Sequence, residues 1–449
     1  MEHETVESES VESQYSKLDN YGPKYITDFV PSDASEQREA FLRGDIRNPS
    51  HNYERLAQND FEESRGRIAE IGAQVLDNPN LNPKYRIAYE QSIDSMLKGT
   101  RFMELAHVIN TTSDPDELKA AEQEYMRLNI EMFGAPDEQV YRSLLQEKLS
   151  VIRAKGLTGR AEGLRDELFS MVGYDPTVPK VERFKPSDET IEWVKTVVDT
   201  LYGGMLSHIP EDQKSFDILD IQRVFQEIIT EEFGEAAEDW TVDIEPAKSI
   251  NVKAGQKRVV IPEDRGSVDL RTLRKLVVHE LGVHMLRGVM GSETDMRLLG
   301  VGLTGYNRNE EGLGKIVEQG LEGKYIEAGI NPYITAGLAY HDNKDFRDIF
   351  EIRWRLAVLS AAHDGGEITD EVIERAKEKT YIVVDRIMRG TDRLPWFKDL
   401  SYYNGTAQMW QHLENIRGDD LKFTFVLLGK TDPLNSVHER VAYESASVS

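Results

Sequence analysis

The stretch Asp269-Leu-Arg-Thr-Leu-Arg-Lys-Leu-Val-Val-His279-Glu280-Leu-Gly282-Val-His284 decides how this chain is read. Asp269 suits an N-cap, because its carboxylate can accept from N–H groups that a first helical turn leaves unpaired. The apolar residues after it predict a helix from Leu270 to about Arg287, with Gly288 as its stop. Within that helix lie two imidazoles and a carboxylate, a donor set for divalent zinc where no thiolate is present. The chain has no cysteine. The histidines stand five residues apart rather than four. On a regular α-helix that is about 140° of rotation, which points the rings apart. Both can face one ion only if the helix widens locally, as a π-bulge does. Gly282 between them lowers the cost of that distortion. Glu280, beside the first histidine, is placed to take a proton from an attacking water.

Immediately upstream, Trp240 to Pro262 carries the clearest strand signal. WTVDIE and Val259-Val260-Ile261 alternate or cluster β-branched residues, and Ala254 to Lys257 can turn between SINV and RVVI. Elsewhere the periodicity is helical, as in Ile68, Ile71, Val75 and Leu76, and in Tyr141, Leu144, Leu145 and Leu149. Ser187 or Asp188 is placed to cap one further helix and Ser215 another. The expected class is α+β, predominantly helical, with a small sheet leading into the helix that carries the histidines.

Pro176, Pro179 and Pro186 crowd one short segment and mark the strongest boundary in the chain. Residues 35–175 are then an N-terminal helical region and 187–443 a catalytic domain. Residues 1–34, rich in Glu and Ser, read as an acidic disordered tail.

The 449 residues carry 54 Lys and Arg against 80 Asp and Glu, a net charge of −26. A field of that sign repels polyanions, so neither nucleic acid nor an anionic membrane is an expected partner. No apolar run approaches the roughly 18 residues of a transmembrane helix. No basic and apolar leader follows Met1, so the expected compartment is the cytoplasm.

A third metal ligand is required, and Asn309-Glu310-Glu311-Gly312-Leu313-Gly314 offers two carboxylates. Periodicity leans to Glu310, which stands three residues before Leu313 on the stripe Leu313, Ile316, Val317 and Gly320. A carboxylate opening a second helix is also the arrangement of gluzincin metallopeptidases, in which the ligand is the Glu directly before a Gly. The His-Glu-Leu-Gly-Val-His helix introduced by Asp-Leu-Arg-x-Leu, followed by Glu-Glu-Gly-Leu-Gly, resembles the tyrosine carboxypeptidase-like family. That family includes bacterial QEGLA-motif proteins and animal enzymes that remove the C-terminal tyrosine of α-tubulin. Arg386-Ile-Met-Arg389-Gly390, Phe397-Lys398-Asp399-Leu400-Ser401-Tyr402, and Gly44 to Pro49 with Tyr53 are similar to further motifs of the family. The resemblance runs from about residue 36 to 430. It departs at Asn309-Glu310, at Gly314 in place of Ala, and at Asn404 after Tyr403.

The resemblance implies a gluzincin-like catalytic domain holding one zinc per chain on His279, His284 and Glu311. Glu310 is then left to serve the helix N-terminus or to hold a partner in the outer surroundings of the site. It also implies a peptidase with Glu280 as general base, removing a C-terminal, tyrosine-like residue from a protein or peptide. A zinc endopeptidase and a non-enzymatic regulatory protein with a structural metal are the alternatives. A carboxypeptidase needs a cation for the terminal carboxylate. Arg353, Arg389 and Lys398 are the candidates, with Tyr402, Tyr403 or His341 as a donor to the oxyanion. His363 reads as a helix-end residue, and His412 and His438 read as incidental.

Overall fold

The computed structural model describes residues 9–247, 249–296 and 298–446. It is predominantly helical, with one three-stranded sheet and one short antiparallel pair. The sheet lies where β-branched residues cluster. Arg258–Pro262 is its middle strand, parallel to Thr241–Glu245 and antiparallel to Asn251–Lys253. Ala254–Gln256 forms the expected turn, and Lys257 adopts a left-handed conformation at φ 52°. Val242, Val259 and Ile261 face the core that also takes Val277, Val278 and Leu281 from the histidine helix. The short pair Ser215–Phe216 with Val268–Asp269 anchors the start of that helix.

Local chemistry sets most helix starts. Ser187, rather than Asp188, accepts the Thr190 N–H at the head of Asp188–Ser207. Asp217, not Ser215, caps Ile218–Ile228 through a reciprocal pair with Asp220, while Ser215 is taken up by strand pairing. Gly288 does not stop the histidine helix, which runs on as Leu286–Ser292. Gly288 and Gly291 are buried; Ala254 packs on the first, and the backbone of Leu299 and Gly300 packs directly on the second.

Two expectations are corrected. The acidic tail read over 1–34 is packed from Val11 onward, and residues 1–8 lie outside the described residues. Val11–Ser16 is helical, capped by Ser10, and Val11, Tyr15 and Leu18 are buried with Ile68, Val75, Tyr89 and Val441. The Tyr15 hydroxyl pairs with Ser92 at 2.6 Å, and Tyr89 donates to Glu12. Composition averaged over 34 residues hid three apolar side chains at i, i+4 and i+7.

The division between 175 and 187 also fails to separate independent cores. Tyr141, Leu145, Leu149 and Leu168 share one core with Tyr333, Ile349, Leu359, Ile387 and Leu400. Phe29, Phe102 and Tyr125 share another with Trp396. Proline marks a change of direction here, not a domain edge.

No helix among the described residues is long and apolar enough to cross a membrane. We expect Tyr15→Ala to cost roughly 3 kcal/mol of stability, read from denaturant unfolding. An unchanged midpoint would place residues 11–20 off the body of the protein.

Candidate metal centre

The helix widens at the histidines. Leu270–Leu276 is α-helical, Val277–Met285 is π-helical, and Leu286–Ser292 returns to α. In a helix bonded i to i+5, residues five apart stack on one face. The ring centroids of His279 and His284 are accordingly 4.9 Å apart. A π-turn shifts the backbone bonding register and asks for outside support. Tyr202, fully buried on Asp188–Ser207, supplies it by donating its hydroxyl to the Gly282 carbonyl at 3.0 Å. Its ring lies so close that a Cβ at residue 282 would stand 2.7 Å from Tyr202 Cε1. Gly282 therefore does more than ease the distortion. It admits the ring whose hydroxyl satisfies the widened turn.

The facing helix, Asn307–Glu322, brings three carboxylates to the histidines. Glu311 Oε2 is 3.8 Å from His279 Nε2. One ligand atom each from His279, His284 and Glu311 lies within 4.8 Å of the others. Glu318 Oε1 sits 2.6 Å from His279 Nδ1, and Glu310 Oε1 sits 2.9 Å from His284 Nδ1. An ionised carboxylate only accepts, so each Nδ1 carries a proton, and in the neutral ring that binds a metal the Nε2 lone pair is the one left free. That is how histidines ligating a metal are ordinarily oriented. Two free imidazole nitrogens and a carboxylate, with no thiolate, fit zinc and leave a coordination position over.

The electrostatics favour positive charge here. Burial disfavours protonated His279, but Glu311 and Glu318 outweigh it and push its pKa up to about 10. Burial also opposes ionisation of Glu311, yet His279, His284 and Lys398 hold its carboxyl well below the usual range. Glu280 is raised, chiefly by desolvation, with the histidine charges acting against the rise.

Glu310 and Glu311 diverge, as neighbours on a helix must. Glu310 is buried, held by His284 and by an ion pair with Arg287. Burial opposes its ionisation, but Arg287 and His284 bring its pKa down to about 2. Arg287 in turn donates to the Gly429 and Thr431 carbonyls at 2.8 and 2.6 Å. Gly314 provides clearance for His279, since a Cβ there would stand 2.6 Å from the ring's Cε1. Gly312 packs on the backbone of Gly405, where Ser401–Asn415 crosses the Glu311 helix.

The substrate-binding candidates scatter. Lys398 lies close enough to Glu311 to lower its pKa. Tyr402 also faces Glu311, and desolvation followed by that carboxylate raises its phenol, so it stays a neutral donor. Arg386 lies over its ring at 5.9 Å. Arg389 instead faces Asp385 at 3.6 Å, and Arg353 is buried, its Nε without a hydrogen-bond partner among the described residues. Tyr403 bonds Glu327 and packs on Tyr333, and His341 bonds the Pro136 carbonyl and stacks on Tyr141. Neither joins the metal cluster.

His363 is exposed beyond Phe346–Ala361. His438 is not incidental: its Nδ1 accepts the Asp432 N–H, and Asp432 holds Asn309 at the head of the Glu311 helix. Sequence reading missed Glu318 and Arg287. Their only signals were spacings, Glu318 two turns after Glu311 and Arg287 three residues after His284.

Residues 195–354 match the family model described as microtubule-associated tyrosine carboxypeptidase. That segment, a little over a third of the chain, is similar to the tyrosine carboxypeptidase-like family. The matched segment contains His279, Glu280, His284, Glu311 and Arg353, while Arg389, Lys398 and Tyr402 fall outside it. No curated protein matches the chain.

Metal analysis of purified variants tests this layout. Glu311→Gln should remove most bound metal, and Glu318→Gln should weaken affinity about 10–100-fold. Glu310→Gln should do the same and also destabilise the fold by roughly 3–5 kcal/mol, because it strands buried Arg287. Loss of metal confined to the Glu310 variant would exchange the two roles.

Proposed function

We propose that this protein is a zinc-dependent carboxypeptidase that removes a C-terminal residue from a protein or peptide. The observation that carries the reading is the π-helical turn. It sets His279 and His284 side by side against Glu311 and leaves Glu280 next to the cluster with no ligand role.

Zinc bound there would supply Lewis acidity towards a peptide carbonyl and towards water. The remaining work falls to side chains of this chain. Glu280 accepts the proton of the attacking water and returns it to the departing amine. Its desolvated setting raises its pKa, against the pull of the two histidines, which makes it a stronger base than an exposed carboxylate. Tyr402, held protonated beside Glu311, is placed to donate to the carbonyl oxygen as it gains charge. Lys398 has no ion pair or hydrogen bond among the described residues, and it stands near Glu311. A free ammonium beside the cluster suits the terminal carboxylate of a substrate and favours exopeptidase over endopeptidase action. A purely structural metal has no need of a base beside its first ligand, which argues against the regulatory alternative.

Glu280→Gln should retain metal and fold while losing peptide hydrolysis by a factor of about 100 or more. Undiminished turnover in that variant would refute the role. A peptide with a free C-terminus should be cleaved and its C-terminal amide spared. Lys398→Ala should narrow that difference about tenfold, chiefly through KM. Equal cleavage of acid and amide by the parent would point to an endopeptidase.

A further inference from the structure

Arg353 stands apart from the other arginines of its helix, Phe346–Ala361. Arg347 donates to the Phe41 and Ile46 carbonyls, and Arg355 pairs with Glu167 and Glu351. Arg353 is 6% exposed, and its Nε has no hydrogen-bond partner. No carboxylate among the described residues pairs with it. Burial alone pulls its pKa down to about 10, with nothing acting the other way. An unpaired buried guanidinium is costly, because desolvation of the charge is not offset. This chain has 80 carboxylates available for pairing, so scarcity of anions does not explain the vacancy.

A second cation lies beside it. Lys148 projects from Glu138–Arg153, a helix that packs against Phe346–Ala361. It is part-buried and makes no ion pair among the described residues. Its pKa is lowered by desolvation first and then by the Arg353 charge. Glu327 is the one carboxylate acting on Lys148, and it is already engaged by Arg183 at 2.7 Å and by the Tyr403 hydroxyl at 3.0 Å. Two like charges brought together in a part-dry setting raise each other's cost. A guanidinium fork and an ammonium are what a compact oxyanion requires.

We propose that Arg353 and Lys148 form a binding site for a compact oxyanion, a carboxylate or a phosphate. The anion supplies the charge that the fold withholds. Two sources share this chemistry: a free small anion, and a carboxylate carried by a bound peptide.

Thermal unfolding of the full chain in sodium phosphate and in sodium succinate, against sodium chloride at equal ionic strength, tests the site without any need for hydrolysis. The parent midpoint should rise by about 2 °C or more in one of the two anions. Arg353→Met should abolish that rise, and without the anion its midpoint should equal or exceed the parent's, since an apolar side chain of similar length replaces an unpaired charge. Lys148→Met, at a more exposed position, should reduce the rise and keep the fold. A parent insensitive to both anions would overturn the proposal. So would an Arg353→Met protein that still responds, or one that melts well below the parent, which would make the arginine structural. Anisotropy of a labelled acidic peptide then separates the sources. Displacement by phosphate assigns the site to a peptide carboxylate, and unchanged binding assigns it to a free anion. Neither outcome depends on whether the chain is a carboxypeptidase.

Discussion

The hydrogen bond from the Tyr202 hydroxyl to the Gly282 carbonyl is the contact on which the candidate site rests. Without widening, His279 and His284 diverge by about 140° and no common ligand is possible. With it, they stack at 4.9 Å. The π-turn is a local defect in bonding register, and such defects persist only where neighbours over-determine them. Tyr202 does this from a helix about 80 residues earlier, and its placement follows from the apolar stripe Val194, Val197, Val198 and Tyr202 in the same core. Packing of an unrelated helix thus fixes the spacing of two imidazole nitrogens.

Charge is layered outward from the histidines. Glu318 and Glu310 orient the rings, Lys315 and Arg287 hold those carboxylates, and the carbonyls of residues 429 and 431 hold Arg287. Each inner group is kept charged by the next. Glu310 remains ionised though buried because a guanidinium stays beside it. Arg353 is the counter-example, a buried guanidinium for which no carboxylate layer exists among the described residues.

Much of this was legible in the chain. The strand run before Asp269, the capped helix after it and the need for a π-turn all followed from side-chain chemistry and from five-residue spacing. The choice between Glu310 and Glu311 did not. Periodicity favoured the residue nearer the apolar stripe, and that reading correctly found the more buried carboxylate. It could not say that this buried carboxylate would be paired with Arg287. The acidic N-terminal segment misled for another reason: Tyr15 and Leu18 are few among many Glu and Ser, and a composition average does not see a helical face. The supporting pair Glu318 and Arg287 was invisible because each is an ordinary charged residue until the facing helix is placed.

The core that joins Val11, Tyr15 and Leu18 to Leu298, Leu299 and Val441 has a consequence for biosynthesis. Its members are separated by more than 400 positions, so it cannot close during translation until residue 441 has left the ribosome. The loop carrying Gly429 and Thr431, which anchors Arg287 and through it Glu310 and His284, arrives at nearly the same moment. A nascent chain therefore lacks the bracing around His279, His284 and Glu311 until its last residues are free, and the candidate site is among the last parts of the molecule to be assembled.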